Sequence, residues 1–326
     1  MRYYRIQILT PNGDVVKEWS SVDANGNNLK GALNVEIDSL VYDFAIPDGS
    51  THVTIYGISL QDIGQAGNWN DQTMLVEAGM TAGLPLANAD QKGIIVYGMI
   101  QQAIGNWQGQ QLSLDFFVVP GSGGTGSVTS PRNFTFNWKA GTNLGEAITS
   151  TLYTAFQNSD YASPLVNINP NLLLPQDENA YFRTLAEFAI YLKRMTKSIA
   201  NVNKYTGLTV LVDQKRIRVF DSSQAENTKT IKFQDLIGQP AWQDVATINF
   251  KTVIRCDLSV GDYVQLPTVL ATTTANSYSR YRDTSVMQNI YQIIRIRHVG
   301  NFRQPDGNSW CSIFNAQQVA GENAPT

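Results

Sequence analysis

The chain has 326 residues, 43% hydrophobic and 16% charged, enough for two or three domains with their own cores and outside the range of disordered chains. Its formal net charge of -3 argues against a general nucleic-acid binder, though not against a local basic stripe. Two histidines and two cysteines constrain metal chemistry: a structural zinc site would need His52, His298, Cys256 and Cys311 together. Two cysteines make no disulfide framework, so both read as reduced thiols in strands. The sequence shows no apolar signal-peptide core and no membrane-length apolar run of about 18 residues, so folding in a cytoplasm is expected.

Residues 1–119 read as a train of strands. Segments 2–9 and 15–19 flank the turn Pro11-Asn12-Gly13-Asp14. Leu33, Val35 and Ile37 alternate with Asn34, Glu36 and Asp38, and the apolar phase then moves to Leu40, Tyr42 and Phe44, which predicts a bulge or bend. A strand over 52–58 leads to Ser59, placed to cap a short helix with Asp62 near its positive end. Strands over 72–79, 93–104 and 110–119 complete the set, and this spacing predicts a barrel or a sandwich.

Residues 120–131 form a Gly/Ser-rich linker by composition. An α/β unit is expected over 132–229. It opens with a strand at 134–138 and a helix capped by Asn143 with Glu146 as capping-box partner. Leu144, Ile148, Leu152 and Phe156 recur at helical spacing. A second helix is predicted over 179–198 with Asp177 as its cap and Lys193, Arg194 and Lys197 in its last turns. A hairpin over 208–220 turns at Asp213, Gln214 and Lys215.

The last segment, 230–326, returns to period two. Ile248, Phe250, Thr252, Ile254 and Cys256 share one face of a strand over about ten residues, with Thr247, Asn249, Lys251 and Arg255 opposite. Val260-Gly261-Asp262 reads as the turn of a hairpin that returns through 263–266 to Pro267. A polar loop at 271–284 carries Tyr278, Arg280, Tyr281 and Arg282, and strands at 290–299 and 310–316 precede a frayed tail. Arg295 and Arg297 share one face of the first of these strands. With Lys251 and Arg255 they form a candidate basic face that meets solvent or a partner.

Chemical motifs do not survive their context. Gly121-Ser122-Gly123-Gly124-Thr125-Gly126 matches a dinucleotide-binding pattern, but a strand follows where the pyrophosphate-binding helix is needed. The Asp23-Ala24-Asn25-Gly26-Asn27-Asn28 stretch starts like a calcium loop, yet Asn28 and Asn34 occupy the positions that need Gly and Glu. Asn133 heads a glycosylation sequon without a secretory signal. His52 and His298 lie in predicted strands with no nucleophile motif beside them. No catalytic residue, cofactor or metal site is therefore assigned.

Several short ordered stretches resemble the baseplate hub proteins of contractile-tailed bacteriophages. In the first segment they are Val53-Thr54-Ile55-Tyr56-Gly57-Ile58, Met74-Leu75-Val76-Glu77-Ala78-Gly79, Ile94-Ile95-Val96-Tyr97-Gly98 and Leu112-Ser113-Leu114-Asp115. In the last they are Asp235-Leu236-Ile237-Gly238-Gln239-Pro240, Val260-Gly261-Asp262 and His298-Val299-Gly300-Asn301-Phe302-Arg303 with Trp310. The resemblance spans most of 35–118 and 231–316, and 127–230 matches less distinctly. It implies a mainly β chain with two tube-like β-barrel domains, 1–119 and 230–326, flanking a small α/β domain. It further implies a homotrimer forming a pseudo-sixfold ring between the tail tube, or a tube-initiator protein, and the central spike. Such a ring sits in the virion baseplate, is assembled in the host cytoplasm, and lets the tape-measure protein and DNA through its lumen. A departure from the family is that no lysozyme-like or spike domain is attached. Lys251, Arg255, Arg295 and Arg297 would then line the lumen or meet a neighbouring subunit. Two other readings stand beside this one: a tail-tip adhesin or carbohydrate-binding module, and a cell-envelope polysaccharide hydrolase.

Overall fold

The computed structural model describes residues 1–41, 51–81, 88–121, 128, 130–157, 159, 161–174, 176–200, 205, 207–221, 228–244, 247–267 and 290–318. The expected shift at Tyr42 and Phe44, most of the glycine-rich linker, the Tyr278–Arg282 loop and the 321–326 tail lie outside these residues. The chain is mainly β, with two β segments flanking an α/β insert.

The first segment contributes β1 (Arg2–Leu9), β2 (Val15–Ser20), β3 (Asn34–Val41), β4 (Thr51–Tyr56), β5 (Thr73–Met80), β6 (Gly93–Gln108) and β7 (Gln111–Pro120). Helix α1 (Leu60–Gln65) sits between β4 and β5, and Ser59 caps it by accepting from the Asp62 amide, as its sequence predicts. In the insert, β8 (Phe134–Trp138) pairs with β10 (Glu178–Phe182). Strand β9 (Leu165–Asn167) joins the hairpin of β11 (Thr209–Asp213) and β12 (Arg216–Phe220). Helices α2 (Leu144–Phe156) and α3 (Leu185–Ala200) close over them, and Phe134, Phe136, Leu152, Phe156, Phe188 and Leu192 are buried together. The last segment supplies β13 (Lys229–Thr230), β14 (Ala241–Trp242), β15 (Thr247–Val253), β16 (Tyr263–Gln265), β17 (Ile290–Asn301) and β18 (Trp310–Gln318).

Two expectations are corrected. The predicted second helix begins later, at Leu185, and its first six residues belong partly to β10. Tyr181, Leu185, Phe188 and Leu192 mimic one helical stripe, but 178–182 alternates in burial and completes the edge of β8. Thr184, not Asp177, caps the helix: its hydroxyl accepts from the Glu187 amide while Glu187 accepts from the Arg183 amide. Asp177 instead accepts from the Ala140 amide. The predicted hairpin of β15 with β16 is also absent. β15 pairs with β14 and β18, whereas β16 pairs with β13 and β17. Residues 254–258 bury Ile254 and Leu258 as they cross the core. The predicted turn at Val260–Asp262 does form, with the Asp262 amide donating to the Ser259 carbonyl at 3.1 Å, but it leads from this crossing into β16 instead of closing a hairpin. The Gly261 amide then donates to the Ile293 carbonyl and the Ile293 amide to Asp262, drawing β16 onto β17.

The first and last segments form one sheet, ordered β14-β15-β18-β17-β3-β4-β7-β6-β5-β1-β2 with β16 and β13 branching from β17. The join is β17 with β3, six antiparallel pairs from Ile296↔Val41 to Asn301↔Glu36. Arg2 locks it from the far end of the chain, donating to the carbonyls of Asn301 (2.7 Å), Asp306 (2.8 Å) and Gln304 and to Ser309 Oγ (3.1 Å). Trp310 Nε1 donates to the Gly79 carbonyl at 2.9 Å. Arg2→Ala leaves the partly buried Asn301 and Phe302 carbonyls without a charged donor and should cost about 2 kcal/mol in chemical unfolding, whereas Arg5→Ala, an exposed pair with Glu18, should cost less than about 0.5.

Candidate assembly surface

Because β3, β15, β17 and β18 alternate inward and outward along their length, the joined sheet presents one mostly polar face across both segments. Direct cross-strand neighbours lie on the same side, so the register fixes its rows. One row runs Lys251, Ile313, Arg297 and Leu40. A second runs Asn249, Asn315 and Arg295, with Asn249 Nδ2 donating to Asn315 Oδ1 at 2.8 Å. A third runs Asn301, Glu36, Thr54 and Asp115. Asn301 donates to Glu36 Oε1 (2.8 Å) and Thr54 to Asp115 Oδ1 (2.6 Å). His52 stacks on Phe117 in the row between, with ring centroids 4.9 Å apart.

The charges divide at the join. Lys251, Arg295 and Arg297 sit on β15 and β17, whereas Glu36, Asp38 and Asp115 sit on β3 and β7. Arg297 bridges the two sides by a fork to Asp38, Nε–Oδ1 2.8 Å and Nη2–Oδ2 2.6 Å. The hydrogen bonds from Arg297 hold the Asp38 carboxyl below its ordinary range, and Asp38 raises Arg297 in turn. Both groups are about half exposed, so the pair positions more than it stabilises.

Of the four predicted basic residues, the structure brings three together. Lys251, Arg295 and Arg297 share the outer face. Arg255 does not: β15 ends at Val253, and the residue is 4% exposed. Its guanidinium forks onto Asp257 (2.6 and 2.5 Å) and lies 3.6 Å from Asp235, tying the turn at Phe233–Asp235 to the crossing segment. The apolar–polar alternation in the sequence continues two residues past the end of the strand, which is why Arg255 reads as sharing the face. Sequence reasoning also missed Glu36, Asp38 and Asp115, because their relation to Arg297 depends on the β17–β3 pairing. Ile294 breaks the predicted alternation as well. It is the extra residue of a β-bulge and is exposed, so Arg295 and Arg297 keep one side while Ile296 stays inside.

Beneath the face runs a buried polar row of Thr252, Ser312, His298 and Ser39. Ser39 Oγ continues it to Thr51 Oγ1 at 2.9 Å. His298 Nδ1 lies 2.8 Å from Ser312 Oγ, the separation a nucleophile and base would need, but both are sealed inside and meet no substrate. Cys256 and Cys311 are free thiols, and only Cys311 lies in a strand. Asp23 accepts from the Asn25 and Asn27 amides, both at 2.8 Å, so its carboxylate closes the polar loop itself.

No family model matches the chain, and no curated protein matches it in sequence. Solved structures do. A tail protein from Neisseria meningitidis MC58 aligns with a TM-score of 0.50 at 10% identity, covering 97% of this chain and 96% of that one. The 43 kDa tail protein of prophage MuSo2 from Shewanella oneidensis gives 0.49 at 8%, covering 98% of each. The E. coli protein c3393 is described as a type VI secretion component with structural similarity to the T4 tail proteins gp27 and gp5. It gives 0.49 at 10%, covering 88% of this chain and 73% of that one. The chain thus has the fold of phage tail proteins, which bears out the resemblance at the level of the fold.

Burial lowers His298 to about 4, so it is neutral in the folded protein and takes up a proton near 6.5 once unfolded. The unfolded state therefore binds more protons between these values. Stability should be full above about pH 6.5 and fall by about 3 kcal/mol as pH drops to about 4. His298→Gln should flatten that limb in unfolding curves measured across the window. Arg255→Met leaves Asp257 and Asp235 without their cation and should cost about 3 kcal/mol in the same assay, whereas Arg295→Met should cost less than about 0.5.

Proposed function

We propose that this chain is a structural, non-enzymatic hub of a phage tail baseplate. Three copies form a pseudo-sixfold ring that joins the tail tube, or its initiator, to the central spike. Its domains are 1–119 and 230–326, the two tube-like units, with the linker 120–131 and the α/β unit 132–229 between them. The observation that carries the reading is the single sheet running from β15 to β6 across both units of a tail-protein fold, with a mostly polar outer side that Ile313, Leu40 and Phe117 interrupt. A monomer has no need to continue one sheet through two separate cores. A channel wall does, since it must be smooth across every joint.

Lys251, Arg295 and Arg297 then face the lumen, together with Glu36, Asp38 and Asp115. Seven strands, β15-β18-β17-β3-β4-β7-β6, make up each copy's share of the wall. Three copies at about 4.8 Å per strand would give a wall roughly 100 Å around and a channel roughly 32 Å across between backbones. That is wide enough for a helix about 10–12 Å thick, in keeping with passage of a tape-measure protein, and DNA would follow it. Mixed charge on the wall, paired where the segments meet, would give a passing chain no strong site on which to stall.

The reading places the protein in the virion tail, with assembly in the host cytoplasm. Purified protein at micromolar concentration, alone and with its tube and spike partners, should show a trimer mass by light scattering. A monomer that stays monomeric with both partners and binds neither would overturn the ring.

A further inference from the structure

Helix α2 and strand β9 enclose an open trough of about 740 Å³ on the α/β unit, a volume in the range of small-ligand sites. One wall is a helical stripe of Glu146, Thr149, Ser150 and Tyr153, all exposed and spaced to lie on one face of α2. The other wall is the stretch 162–168. It includes the outer strand of its three-stranded sheet, since β9 pairs with β12 alone. None of these residues belongs to the sheet that joins the two β segments.

The polar groups of the trough are left free by the way the helix is capped. The sequence predicts Glu146 as the capping-box partner of Asn143, but the cap closes without it. Asn143 Oδ1 accepts from the Gly145 amide at 2.6 Å, and its Nδ2 donates to the Pro170 carbonyl at 3.2 Å. Glu146 makes no hydrogen bond or ion pair among the described residues, and neither do the side chains of Ser150, Tyr153, Ser163 and Asn167. Thr149 is engaged, its hydroxyl donating to the Gly145 carbonyl at 2.7 Å. Five side chains from both walls thus bring unused hydrogen-bonding capacity to one concavity.

Their chemistry selects the ligand. No described lining residue is basic, so a phosphate or carboxylate ligand would lack a counter-charge. One carboxylate is too little for a metal ion. Hydroxyls and an amide both donate and accept, which suits a molecule edged with hydroxyl groups. Between these groups Pro164, Val166 and Ile168 are apolar, and Tyr153 is 57% exposed. A pyranose has the same division, with hydroxyls at its rim and C–H groups on the faces that pack against an aromatic ring. A cationic peptide would engage Glu146 and leave most of the neutral groups unused.

We infer that the α2–β9 trough binds a neutral saccharide chain. Tyr153 is the stacking platform, and Glu146, Asn167 and the two serines hold hydroxyl groups. Because the trough is open, a unit within a longer glycan can enter as well as a free end. The site adds a binding function to the structural role. It is built within one chain and does not rest on the ring, although three copies in a ring would reinforce a weak contact.

The test is saturation-transfer NMR on the full-length protein with two probes, tri-N-acetylchitotriose and maltotriose, which separate an N-acetylated glycan from a plain hexose one. At least one should bind with a Kd of about 1 mM or tighter. Tyr153→Ala and Asn167→Ala should keep the wild-type melting temperature yet weaken binding about 10-fold, whereas Tyr153→Phe should stay within about 3-fold. No transfer from either trisaccharide, or transfer that Tyr153→Ala leaves unchanged, overturns the site. Binding of trilysine in place of both sugars also overturns it and makes the trough a peptide groove. A chain that binds a trisaccharide at this site but never trimerises supports this inference and overturns only the ring.

Discussion

The pairing of β17 with β3 is the constraint on which the rest of the molecule depends. It joins the last β segment to the first through six residue pairs and makes one sheet of them, with residues of both segments in the cores on either side. Cross-strand hydrogen bonds alone are modest in water, so the join draws its strength from what is sealed beneath and clamped beside it. Beneath lie Val35, Ile37 and Trp310 on one side and Ile296 and Phe314 on the other. Beside it, Arg2 grips the β17–β18 connection and Arg303 donates to the Ala32 carbonyl. Gly300 allows close packing here: a Cβ there would sit 3.0 Å from the Trp310 ring and 3.4 Å from Ile37, so the ring would have to give by a few tenths of an ångström.

A continuous sheet has a second consequence. Its inner side is apolar except for the row of Thr252, Ser312, His298 and Ser39, which marks the boundary between the two cores. Its outer side carries hydrogen-bonded amides and carboxylates in register. The face is thereby fixed in shape and charge by backbone pairing, not by the rotamers of long side chains. That is the property a channel wall or a subunit joint needs, and it requires no catalytic group.

Much of the local structure was legible in the sequence. Strand β1 and strand β8 keep the bounds their alternation predicts, and Ser59 and Asn143 cap the helices they were expected to cap. Local signals failed where distant pairing decided the outcome. The 178–182 stretch looked helical because Tyr181 and Leu185 continue the stripe of α3, but the free edge of β8 claimed it. Residues 254–256 kept the parity of β15, yet the Cys256 amide bonds the Gln91 carbonyl and Arg255 turns inward to Asp257. The basic residues were visible as types. Their acidic counterparts were not, since Arg297 and Asp38 stand 259 positions apart in the chain. The motif 298–303 with Trp310, part of what resembles the hub proteins, has a physical content in the fold: it is the seam itself.

The measurement that tests the account most directly is a single-particle reconstruction of the assembled protein at side-chain resolution. The account predicts a threefold ring with a central channel, whose wall carries Lys251, Arg295, Arg297, Asp38 and Glu36 from every copy. A reconstruction in which that face points to the outside of the particle, or in which β17 and β3 lie in separate sheets, would contradict it.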